Sequence, residues 1–223
     1  MKKISARVMV MTLMMVLLLS ACASRQVEPA WRANAASALD SFTDAYLKGD
    51  SAIAATDFAR ARFETASTGR ADLVAHAELL RCAVLTASLE LGECAGFTPL
   101  AQDATAAERT YAAYLAGRWQ GLDVALLPEQ HRAIVGSTGG TGGTGALAGV
   151  ADSLSRLVAA GAMLAAGRIA PPDIVTAIDT ASKQGWRRPL LMWLGVAAQR
   201  ARAPGDTVEL ARIERRIALA SSR

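Results

Sequence analysis

Apolar residues recur at intervals of three and four along most of this 223-residue chain, and few stretches alternate with the period of two that a half-buried strand requires. The pattern predicts helices. Trp31, Ala35, Leu39, Phe42 and Tyr46 fall on one stripe, and Gly49 stands where a helix would be closed by a left-handed residue. Asp50 is placed to cap the next helix, whose Ala54, Phe58 and Ala61 share a face. Two helices joined so tightly form an antiparallel hairpin. A third helix from about Ala71 carries Leu73, Ala77, Leu80 and Val84. Thr105 to Glu108, "TAAE", has the form of a capping box and opens a helix through Tyr111 and Tyr114 toward Trp119. Pro128 suits the first position of a short helix, "PEQHRAIV".

The periodicity is cleanest at Leu147, Val150, Leu154, Leu157, Gly161 and Leu164, which predicts one helix ending at Gly167. "IAPPD", "WRRP" and "APGD" then introduce three more, the last with Leu210, Ile213 and Ile217 facing one way and Glu209 and Arg212 another. Four helices on short connections imply two adjacent hairpins. The fold class expected is therefore all-α, in antiparallel helical hairpins. A helical part at 30–135 and a four-helix part at 147–220 are separated by "GSTGGTGGTG", read at 136–146 as a loop or linker.

Composition agrees. Aromatic residues make up 5% of the chain, and its abundant alanines favour closely packed helices. The first residues add a separate signal: Lys2, Lys3 and Arg7 precede an apolar run from Val8 to Leu19 interrupted only by Thr12. This is a signal-peptide layout, and twelve helical residues rise only ~18 Å, short of the ~30 Å hydrocarbon core of a bilayer. Leu19, Ser20, Ala21 and Cys22 follow, and this quartet resembles the lipobox of bacterial lipoproteins. The resemblance implies that residues 1–21 are removed, that Cys22 is acylated, and that residues 22–29 are a lipidated tether to the membrane. Ala23 stands where the family's inner-membrane retention signal has aspartate, which implies transfer to the outer membrane in a Gram-negative host, facing the periplasm.

Processing changes the charge. The whole chain carries +4, but the segment removed takes three basic residues and no acid, leaving about +1. A pI near 9.2 is then no sign of nucleic-acid binding, which needs a basic stripe in the mature protein. "WRRP" and "RIERR" read as solvated helix ends.

The chain carries no catalytic motif and no pattern for a metal or cofactor. "GSTGGTGGTG" lacks the lysine of a phosphate-binding loop and any preceding strand. His76, between Leu73 and Leu80, reads as a core histidine, and His131 as a surface group near Glu129. Thr180 and Lys183 in "TASK", like Glu90 and Glu93, read as exposed polar residues. Cys82 and Cys94 are either bridged, which requires their helix to end near Leu89, or two buried free thiols.

Tyr46, Gly49, Asp50, Ala54, Phe58 and Ala61 fall at the offsets of the second half of a tetratricopeptide repeat. The chain is similar to that family in this segment, while Ala38, Ser41 and Ala66 depart from its pattern, so either tetratricopeptide-like hairpins or an irregular bundle is expected. "GWRRPLLMWLG" offers Trp186, Arg187, Arg188 and Trp193 as a partner-binding anchor, against a plain helix start with Trp193 in the core. These features lead to one expectation, a lipid-anchored periplasmic scaffold, assembly or accessory factor that binds an envelope protein. The alternative is a peptidoglycan-directed hydrolase or its regulator.

Overall fold

The computed structural model describes residues 29–136, 146–203 and 205–222. The signal segment, Cys22, most of the tether and the glycine–threonine stretch 137–145 lie outside the described residues. Within them the protein is all-α, with nine α-helices and no strand: α1 Ala30–Lys48, α2 Ser51–Ala66, α3 Ala71–Ala87, α4 Ala106–Leu115, α5 Glu129–Gly136, α6 Ser153–Ala165, α7 Pro171–Gln184, α8 Arg187–Arg202 and α9 Thr207–Ser221.

Local signals set many of the boundaries. Gly49 is left-handed (φ 98°) and its N–H donates to the carbonyls of Ala45 and Tyr46, ending α1. Thr105 and Glu108 form the capping box of α4, each side chain bonding the other's backbone N–H. Two expected helices are shorter than the apolar spacing suggests. α4 stops at Leu115 because Gly117 turns the chain at φ 74°, and Trp119 folds back to donate its indole N–H to the carbonyl of Tyr114 (2.9 Å). α6 begins only at Ser153, where the side chain of Asp152 accepts from the N–H of Ser155 (2.6 Å). Leu147 and Val150 are buried as their spacing implied, but by a 3-10 turn at Ala146–Gly149 whose carbonyls Arg156 grips (Nε to Leu147 O 3.2 Å, to Val150 O 2.9 Å).

α1 and α2 pair as a hairpin, with Phe42, Tyr46, Ala54 and Phe58 in a small apolar cluster that reaches Val84 of α3. A larger cluster runs from Ala75 of α3 through Leu157 of α6 and Trp193 of α8 to Ile213 of α9. Residues before and after the glycine–threonine stretch thus share one core. α3 is its central element, packed against α2, α4 and α6. A methyl group on Gly161 of α6 would lie 2.2 Å from the carbonyl oxygen of Thr86 on α3, so these two helices meet nearly backbone to backbone.

α3 ends at Ala87, and Leu89 (φ 61°) helps turn the chain back so that Cys94 returns beside Cys82. The two are joined by a disulfide, with Cα atoms 5.5 Å apart and a separation of 12 residues. Constraining so short a loop stabilises by about 3 kcal/mol in the chain-entropy picture. The double variant Cys82→Ser/Cys94→Ser is expected to lose that much in urea denaturation, and added dithiothreitol should then have no further effect.

Candidate functional site

An apolar cleft of about 490 Å³ lies between α3, α4, α6 and the turn at residues 124–128. Leu79, Leu80, Ala83 and Val84 of α3 form one wall, Leu154 and Val158 of α6 another, and Leu126, Leu127 and Pro128 a third. α4 contributes Ala107, Glu108 and Tyr111.

Its polar side chains are His76, Glu108, Tyr111 and, at the start of α6, Ser155. At the rim, Nδ1 of His76 is 3.1 Å from Oε1 of Glu108, while the backbone N–H and hydroxyl of Thr105 both donate to Oε2 at 2.8 Å. Burial disfavours the Glu108 charge, but the bonds from Thr105 and His76 outweigh it and hold the carboxyl below its ordinary value. Deeper in lies Tyr111, whose phenol is raised above its ordinary range by burial. Its ring stacks on Tyr114 (centroids 5.9 Å) and lies 5.6 Å from the ring of His131.

The two histidines have exchanged the places expected of them. His76 is exposed, because α3 is gripped by several helices and its buried positions, Val74, Ala75, Ala77, Glu78 and Leu79, leave His76 on the narrow outward strip. His131 is 1% exposed, on the inner face of α5, with its Nδ1 3.2 Å from the Tyr114 hydroxyl. Burial lowers its pKa from 6.5 to about 4. The folded state therefore favours the neutral imidazole, and the unfolded chain binds more protons between those two values. This contribution to stability is complete above pH 6.5 and is lost as pH falls toward 4, amounting to roughly 2.5 kcal/mol by pH 4.5. Unfolding free energies from urea titrations at pH 7 and 4.5 should differ by that much more for the wild type than for His131→Gln.

Of the two readings of "GWRRPLLMWLG", the structure has the helix start with Trp193 in the core. Trp193 is fully buried and its indole N–H approaches the carbonyl of Ala87 (3.4 Å), while Trp186 is half-buried between the two apolar clusters. The guanidinium of Arg188 lies 4.2 Å over the ring of Tyr46 and donates to Tyr46 O (2.8 Å) and Ser51 Oγ (2.7 Å). A Gly49 side chain would meet Arg187 at 3.3 Å. The exposed carbonyls at the end of α1 attract these arginines, so the cationic pair ties α8 to the first hairpin.

Other polar candidates have structural partners. A second groove, of about 420 Å³, is lined by Glu78 and Glu90. Glu78 is paired with Arg62 (2.9 Å), and Glu90 accepts from the Tyr46 hydroxyl and faces Arg188 (3.9 Å). Thr180, expected to be exposed, is buried against Arg156 (3.3 Å), while Lys183 is exposed. Among the described residues no group of three or more His, Cys, Asp or Glu could hold a metal ion, and no helix is long and apolar enough to cross a membrane. Compared with known protein families, with curated proteins and with solved structures, the chain matches none.

Proposed function

We propose that this is a lipid-anchored helical protein of the outer membrane, facing the periplasm, that serves a cell-envelope complex as a binding scaffold, assembly or accessory factor. Its work is to hold another molecule. The observation that carries this reading is the apolar cleft: its walls are largely aliphatic, and the imidazole and the carboxyl that line it, His76 and Glu108, are bonded to each other at the rim. Clefts of this size with few polar groups are the usual form of a binding site. The lipobox at residues 19–22 supports the anchor, since several acyl chains hold a protein on a bilayer essentially for good.

Photo-crosslinking in cells tests the reading. With p-benzoylphenylalanine at position 126, on the cleft's open edge, the lipidated protein should give a discrete adduct with one envelope component. That adduct should disappear in Ala107→Trp, which places an indole over the cleft from an exposed position of α4. No adduct from any rim position would overturn the proposal. The anchor has its own test: palmitate labelling that persisted in Cys22→Ala would remove it.

A further inference from the structure

Resting on the binding reading above, we infer that the cleft takes an uncharged aliphatic chain carrying one hydrogen-bond acceptor, seated against the hydroxyl of Tyr111. Three observations converge. The walls are mostly leucine, valine and alanine, and the polar side chains among them are few, His76, Glu108, Tyr111 and Ser155. No lysine or arginine lines the cleft, and the one carboxylate at its rim would repel an anionic head group, so a free fatty acid or phosphate ester is disfavoured. Tyr111, by contrast, lines the cleft as a half-buried phenol whose hydroxyl is open to solvent and to a ligand rather than bonded to a described residue.

That donor has little freedom to find a partner elsewhere in the protein. Its ring packs on one side against both Tyr114 and His131, and burial keeps the phenol protonated at every physiological pH. A ligand that fills the cleft displaces water from that hydroxyl, so one that supplies an acceptor is favoured over one that leaves the donor unpaired. An ester, amide or hydroxyl oxygen near the end of an aliphatic chain does so without bringing charge.

The experiment uses the full lipidated protein in native membranes, photolabelled with diazirine-bearing dodecanol and, in parallel, with diazirine-bearing dodecanoate. Dodecanol adducts should map to peptides containing Leu79–Val84 and Leu154–Val158 and be suppressed by excess monolauroylglycerol. Labelling should fall about five-fold in Tyr111→Phe, the loss expected for one hydrogen bond. Dodecanoate should label the same peptides roughly ten-fold less. Tyr111→Phe removes only an unpartnered oxygen, and Ala107→Trp, on an exposed position, is expected to block labelling while leaving the circular dichroism of the fold unchanged. Equal labelling by the two probes, labelling unchanged in Tyr111→Phe, or adducts confined to other surfaces would overturn the inference. If position 126 crosslinks a protein while dodecanol leaves the cleft unlabelled, the ligand class falls and the binding reading stands.

Discussion

Trp193→Ala is expected to destabilise the protein by about 4 kcal/mol, in the range for truncating a fully buried aromatic side chain. Trp193 has no exposed surface, and it stands where α8 meets the C-terminal end of α3. Truncation removes the largest fully buried side chain of the molecule and leaves the carbonyl of Ala87, at the last residue of α3, without the indole N–H. The surrounding helices are already close-packed through alanines, so the space cannot be closed by a small shift. Urea denaturation followed by circular dichroism measures the loss directly, and Trp193→Phe should recover a good part of it. Unchanged stability in Trp193→Ala would mean that the indole is not in the core. The result also governs any partner experiment: a Trp193 variant that loses a binding partner will have lost it through the fold. Trp186→Ala, truncating a side chain that is only half-buried, should cost clearly less.

What could be read along the chain was what depends on neighbours in sequence. The capping box at Thr105 and Glu108, the left-handed Gly49, and the helical period of the apolar positions all act within a turn or two, so they are visible locally. The histidines show where that ends. His76 lies on an apolar stripe drawn from Leu73 and Leu80, yet both leucines are only half-buried. The true buried arc of α3 is wider and displaced, because several helices enclose it. His131 belongs to a short polar segment, and nothing nearby reveals that the tyrosines of α4 close over it. The cleft was hidden for the same reason. Its walls come from residues between 76 and 158 in four separate elements, and no one of them departs from an ordinary core-facing helix or turn. The strap of Arg187 and Arg188 was legible as a cluster but not as a joint, since Tyr46 is 142 residues from Arg188.

Gly161 was read as one more position on an apolar stripe, but its lack of a side chain has a larger effect. Gly161→Val is expected to cost about 4 kcal/mol or more, at the far end of the range for overpacked cores. A Cβ there would lie 2.2 Å from the carbonyl oxygen and 2.9 Å from the carbonyl carbon of Thr86, both backbone atoms with no rotamer to change. The helices would have to separate, and α3 and α6 make the most extensive packing between the two halves of the core and form two walls of the cleft. Alanine raises intrinsic helix propensity by about 1 kcal/mol over glycine, so the sign of Gly161→Ala is a contest between that gain and the clash. At 2.2 Å from backbone the clash wins, and Gly161→Ala should still destabilise. Gly195 in α8 supplies the control, because a Cβ there meets nothing within 4 Å. Gly195→Ala should therefore stabilise by up to about 1 kcal/mol. Thermal melts of the two alanine variants should move in opposite directions, and a Gly161→Ala protein as stable as the wild type would show that α3 and α6 do not meet this closely.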